Sequence, residues 1–419
     1  PDEIAQMREI VLEAMQAGAV GFSTGRTDNH RSIEGAATPA SEATIQELQD
    51  IASGFVGLDH GVLQAVSDFD MAESRRCFDG EFDVLQKMAE AAPGHRTSMS
   101  LIERMRDTTQ WRRIMERASA STEAGTPIFL QVAARGIGVL LGLEATFHPF
   151  MGFPSYKEIA HLSLEERVEI MSDPAFKAKM LSETSDKVSG DGSPIPPLAD
   201  EFLANLDFVA MRLYRLGDDF DYEPPPEKSI LAEAYNKGVS PLEIIYDSML
   251  QDGGKELLYF PIYNYLGQNL DNIHEMLTHP QALPGLSDGG AHVGTICDAS
   301  FPTYMICHWA RDRSRGDKLQ LEKVIHMMTQ ATSEFIGFHD RGTLAVGKKA
   351  DVNVINFDEL RIKRPRMVKD LPAGGQRLLQ DAVGYRATIV SGEIILENDT
   401  LTGARPGRLV RGGQTPAPN

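Results

Sequence analysis

Apolar residues recur at helical spacing from the first residues onward, with Ile4, Met7, Ile10, Val11 and Met15 on one face. Gly18 ends that pattern, and Ala19 to Ser23 reads as a strand. A loop rich in Gly, Thr and Asn follows from Gly25 to Thr38, and Ser41 is expected to cap a helix through Ile45, Leu48 and Ile51. Strands are predicted at Val62–Ser67, Thr97–Ile102 and Pro127–Ala133, with helices over 82–91 and 109–123 between them. Residues 155–252 read as a long insertion of helices and loops. A short strand at Leu257–Tyr263, a helix at Leu270–Leu277 and a strand at Ala282–Ser287 follow. The strands are almost continuously apolar and alternate with helices, as parallel βαβ units covered on both faces do. After a helix at Leu321–Ile336, short strands dominate: 342–344, 350–357, 385–390 and 393–397. They predict a small separate β unit, and residues 412–419 read as a frayed tail.

Composition narrows the classes. Lys and Arg number 41 against 60 Asp and Glu, a formal charge of −19, and 42% of residues are hydrophobic. That is an ordinary globular balance, and its acidity disfavours nucleic acid or an anionic membrane surface as a partner. The basic stretch Arg361–Lys369 reads as a solvated loop. The longest apolar stretch, Phe129–Ala145, is interrupted by Gln131 and Arg135, so no membrane span is predicted. Cys77, Cys297 and Cys307 form no disulfide or Cys-x-x-Cys framework, which fits a reducing cytoplasm. No phosphate-loop spacing or Gly-x-Ser-x-Gly elbow occurs.

One run near the end is more specific. Residues 340–354, Asp-Arg-Gly-Thr-Leu-Ala-Val-Gly-Lys-Lys-Ala-Asp-Val-Asn-Val, resemble the segment that closes chains of the amidohydrolase superfamily. Val390–Glu393 and Thr402–Arg408 resemble the D-aminoacylase branch, the N-acyl-D-amino-acid deacylases. Ala17–Gly25 is similar to that branch's fourth barrel strand, and Pro284–Gly290 to its last. The resemblance implies a (β/α)8 TIM-type barrel over 1–340, a β-sandwich portion over 341–411, and hydrolysis of a non-peptide C–N bond. Five barrel strands and one accessory strand are counted here, where a closed barrel has eight, so the remaining strands are expected upstream of Pro1. The branch's His-x-His pair and Cys metal ligand are expected there too, since no His-x-His occurs among the 11 histidines.

The resemblance makes Asp288, at the end of the last barrel strand, the expected metal ligand and proton shuttle; read alone, it fits an Asx turn equally. The branch carries metal histidines on its fifth and sixth strands, but Val62–Asp68 and Thr97–Ile102 contain none. Gln64 stands near one such position, as a substrate-orienting amide or simply a polar residue lining the barrel mouth. Gln131 and Arg135 end the next strand; the guanidinium suits a substrate carboxylate or a salt bridge to a loop acid. His292 and His148 are further substrate-contact candidates, ahead of Asp298 and Tyr304, and Cys297 has no nearby base. The expected protein is a cytoplasmic hydrolase of an N-acyl amino acid or related carboxylate-bearing amide, using one divalent metal, zinc by default. Its expected partners are a small-molecule substrate, the N-terminal part of the same protein and further copies of itself. A catalytically inactive structural relative and a metal-independent lyase or isomerase are the alternatives.

Overall fold

The structure, a computed structural model, describes residues 2–27, 30–32, 34–69, 78–190, 193, 195–287 and 289–413. Helix α1 (Asp2–Gln16) opens with Asp2 and Glu3 against the positive end of its dipole and stops at Gly18, whose φ of 98° suits glycine. Strand β1 (Gly21–Arg26) follows, a few residues later than expected. Helix α2 (Ile45–Ser53) is capped by Thr44, whose hydroxyl accepts from Glu47 N at 3.2 Å. Ser41, the expected cap, sits instead in the preceding 3-10 turn, Pro39–Glu42. The remaining strand–helix units are β2 (Val62–Ser67), α3 (Phe78–Glu90), β3 (Arg96–Leu101), α4 (Gln110–Glu123) and β4 (Ile128–Ala133).

Strands β1 to β4 form one parallel sheet in chain order. Strand β5 (Ile137–Leu141) turns away, and β6 (Tyr214–Arg215) and β7 (Leu258–Tyr263) join it in an antiparallel sheet of order β5-β7-β6. The chain then returns as β8 (Ala282–Gly285), which pairs in parallel with β4 and completes a five-stranded sheet. The five expected strands thus form one parallel sheet, with β7 as the accessory strand outside it.

Side chains alternate between the two faces of the sheet. One face, carrying Leu63, Ala65, Met99, Leu101, Leu130 and Val132, is fully buried against Leu48, Phe82, Leu85, Trp111 and Ile114 of the helices. Gly21 lies where β1 and β2 approach closely, and a Cβ there would collide with the Val62 carbonyl oxygen. Gly21→Ala is therefore expected to cost about 1–3 kcal/mol in urea unfolding, through forced separation of the two strands; an unchanged midpoint would contradict this packing.

The insertion is helical as expected and has its own core, in which Phe150, Phe153, Tyr156, Tyr246 and Met249 pack on Leu141, Leu258 and Phe260. After the helical segments that end at Ile336, Val352–Ile355, Tyr385–Val390, Glu393–Glu397 and Thr400–Leu401 form a four-stranded antiparallel sheet. Two further hairpin pairs join Arg361–Ile362 to Ala382–Val383 and Arg366–Val368 to Arg377–Leu379. The expected strand at 342–344 does not form; Gly342, at φ 87°, turns there instead. Within the expected tail, Gly412 N donates to Gly18 O at 2.9 Å, and residues 414–419 lie outside the described residues.

Candidate functional site

The C-terminal ends of parallel strands in α/β folds open onto the functional side, and here they are braced by ion pairs. Arg26, at the end of β1, binds Glu81 through two bonds of 2.6 and 3.1 Å, and Ser67 of β2 donates to the same carboxylate at 2.9 Å. Thr27 Oγ1 donates to Asp68 Oδ2 at 2.7 Å, and Arg104, beyond β3, meets Asp68 Oδ1 at 3.0 Å. Arg104 also donates to Ser67 O at 3.0 Å and lies over the Tyr263 ring. These contacts tie three successive strand ends together, so the rim is a rigid support for chemistry.

The second face of the sheet carries the candidate polar groups. Register places Ser23 beside Gln64 and Gln64 beside Ser98, and one level higher Ser100 beside Gln131. Gln131 Nε2 donates to Ser98 Oγ at 3.2 Å, and Gly285 of β8 leaves room against the Gln131 side chain. Ser98 and Ser100 are buried, Gln64 and Gln131 are half-buried, and Ser23 is exposed. Among the described residues the buried Ser100 hydroxyl has no partner, the kind of orphan that a bound water or ligand satisfies. The structure thus aligns Gln64 and Gln131 on one face. The serines between them were not singled out as candidates; the alternation Ser98-Met99-Ser100 was the available signal.

Asp288 lies outside the described residues. The loop just beyond it is firmly held. Leu140 N donates to Thr295 O at 2.7 Å, Thr146 N to Gly294 O at 3.0 Å, and Leu378 N to Val293 O at 2.7 Å. His292 has φ 47°; its carbonyl accepts from Thr295 N and Ile296 N, and its side chain is exposed.

Arg135 and His148 sit differently from the expectation of substrate contact. Arg135 is 1% exposed, its Nη2 donates to Asp298 Oδ1 at 2.9 Å and Cys297 O at 3.1 Å, and its guanidinium lies 3.4 Å from the centre of the Tyr222 ring. It anchors the base of the 289–298 loop, which is the salt-bridge reading rather than the substrate reading. His148 is buried beside Tyr156, and its Nδ1 accepts from Phe150 N at 3.2 Å. Burial, with Arg167 nearby, pushes its pKa down to about 3, so it stands as a neutral packing residue of the insertion. Burial raises the Cys297 and Cys307 thiols to about 11, the opposite of an activated nucleophile. Cys77 lies outside the described residues.

Among the described residues no group of three or more His, Cys, Asp or Glu side chains is placed to hold a metal ion. The second-face row offers hydroxyls and amides, which are poor zinc ligands. The described residues therefore do not fit a metal by themselves. No described helix is long and apolar enough to cross a membrane. A cleft of about 750 Å³ lies within the insertion around Glu183–Lys187 and Asn205–Phe208, and none of the strand-end residues lines it.

These features define an α/β protein whose polar groups collect on one face of a parallel sheet and at its C-terminal rim. Residues 254–396, from β7 into the small β unit, match the Amidohydrolase family. The matched segment contains the motifs at 284–290 and 340–354 that resemble the amidohydrolase superfamily. The fold is similar to that of the N-acyl-D-glutamate deacylase of Bordetella bronchiseptica, solved with zinc and a phosphonate mimic of the tetrahedral intermediate. The TM-score is 0.50 at 17% identity, over 98% of this chain and 66% of that one. No curated protein sequence matches the chain. The chain spans just under two thirds of that neighbour's length.

Proposed function

We propose that this chain belongs to a hydrolase that cleaves the C–N bond of an N-acyl amino acid or a related carboxylate-bearing amide. The observation that carries the reading is the polar row Ser23–Gln64–Ser98 and Ser100–Gln131 on the open face of a parallel sheet, in a chain whose 254–396 segment matches the Amidohydrolase family. In this reading the Gln64 and Gln131 amides orient the acyl group through hydrogen bonds. Asp288, at the end of the strand β8 motif, accepts a proton from the attacking water and returns it to the leaving nitrogen. His292, exposed on the anchored loop, contacts the substrate at its outer end. The five-stranded sheet forms part of an eight-stranded barrel (residues 1–340, with the 155–252 insertion), and residues 341–411 form the β-sandwich portion.

One divalent metal, zinc in the first instance, remains part of the proposal, with ligands outside the described residues. No step is derived through it. A cytoplasmic location, a small-molecule substrate and self-association belong to the same proposal.

A second reading is favoured by one specific feature: where the resemblance calls for two imidazoles, neither β2 nor β3 carries a histidine, and Gln64 stands near one of those positions. A catalytically retired relative would show that. Incubating the complete natural protein with N-acyl derivatives of glutamate, leucine and alanine, in D and L forms, separates the two. Stoichiometric release of free amine and carboxylate from at least one is expected. No release from any of them, with no bound metal by elemental analysis, would favour the retired relative.

A further inference from the structure

A second polar feature lies apart from the row just described. Arg212 ends the short turn Ala210–Arg212 in the insertion and is 5% exposed. It lines a cavity of about 360 Å³ with Met105, Thr108, Phe208, Met211 and Leu266 among its walls. The walls come from three places: the segment following β3, the insertion, and the loop after β7 with Leu266 and Gln268. None of the lining residues belongs to the second-face row or to the 286–298 loop.

The guanidinium is underpartnered. Among the described residues its Nη1 is buried with no hydrogen-bond partner, its Nη2 hydrogen-bonds only the Met105 thioether, at 2.7 Å, and its one aromatic contact is the Phe260 ring, 5.6 Å from the guanidinium carbon. Glu103 is close enough to feel the charge, but it spends one oxygen on Asn272 Nδ2 at 2.5 Å and the other on Leu266 N at 3.2 Å. Among the described residues no carboxylate forms an ion pair with Arg212. A buried cation with unspent donors is costly unless something completes it. Meanwhile Met105 and Phe208, at the cavity's opening, are 45% and 51% exposed. Exposed apolar side chains around a buried guanidinium match a ligand with an anionic head and an apolar tail.

We propose that this cavity binds a small organic monocarboxylate, its carboxylate on Arg212 and its short apolar chain between Met105, Phe208 and Met211. Guanidinium and carboxylate geometries match. A bound ligand of this kind bridges the insertion to the loop after β3, so it couples the insertion's position to the sheet. The site is independent of the hydrolase reading, because binding here requires no turnover.

Isothermal titration of the full chain with hexanoate, and with hexanamide as the uncharged isostere, tests the proposal. Hexanoate should bind with a Kd of about 1 mM or tighter, and hexanamide about tenfold or more weakly, because the charge-assisted bonds are lost. Arg212→Met should abolish hexanoate binding. Should that variant fail to fold, Thr108→Trp decides: Thr108 is exposed at the rim, so the new indole fills the cavity without touching the core. It should weaken hexanoate about tenfold or more with an unchanged thermal midpoint. Equal binding of acid and amide, no binding of hexanoate by the wild type, or wild-type binding in Thr108→Trp would each overturn the site.

Discussion

Glu223→Ala lowers folding stability by about 3–5 kcal/mol, the usual consequence of removing one partner from a buried charged network. Glu223 is 2% exposed and sits in the insertion. Its Oε2 accepts from His308 Nε2 at 3.0 Å and Arg313 Nε at 3.3 Å, and its Oε1 accepts from Leu270 N at 2.9 Å and Arg313 Nη2 at 3.3 Å. Arg313 is itself fully buried and also donates to Asp271 Oδ1 at 2.6 Å and to Asp317 O at 2.7 Å. One carboxylate therefore joins the insertion to the segments before and after β8. Burial raises its pKa, but the bonds from His308, Arg313 and Leu270 outweigh that and bring it down to about 2, from the ordinary 4.5. A lowered carboxylate pKa stabilises the fold fully above the unfolded value and loses that contribution as the pH falls through the folded value. The shift corresponds to about 3 kcal/mol, lost between about pH 5 and pH 2. Urea unfolding at pH 7 and at pH 3 should show that part of the acid sensitivity in the wild type and not in Glu223→Gln. Equal sensitivity in the two proteins would remove Glu223 from this role.

The second large effect is at Arg135. Arg135→Met is expected to cost about 3–5 kcal/mol, because it strips the buried Asp298 of its guanidinium partner and the Cys297 carbonyl of a donor. The stacking on Tyr222, with Phe301 and Tyr304 beyond it, adds to the loss. Arg135→Lys keeps the charge but neither the planar stack nor the forked donors, so it should recover only part of the loss. Had Arg135 been a substrate-binding group, either variant would raise KM with little change in thermal midpoint. A large fall in midpoint, measured by calorimetry, is the outcome its burial predicts.

The parallel strands were legible because buried parallel strands are short apolar runs with glycine or proline at their ends. Val62–Ser67 was read to the residue, and β3, β4 and β7 to within one. Strand β5 was missed, since Phe129–Ala145 reads as one apolar run. Its corner at Arg135-Gly136 depends on antiparallel pairing with β7, more than 100 residues away. The helix cap went to Thr44 rather than Ser41 because only Thr44 stands three residues before Glu47, within reach of its amide. For the site, the types of Gln64 and Gln131 were readable, but their common face is set by cross-strand register. Arg135 and His148 show the opposite limit: charge and ring chemistry are visible in sequence, whereas the partners that bury them, Asp298 and Tyr156, are a matter of tertiary packing.

In the proposed reaction the end of the β8 motif supplies the proton-transferring carboxylate of a C–N hydrolase. Steady-state amine release by the complete protein and its Asp288→Asn variant, on the best N-acyl amino acid of the panel, tests it most directly. A loss of about 10²–10⁴ in kcat, at an unchanged thermal midpoint, is the predicted result. A variant that turns over as fast as the wild type would contradict the claim.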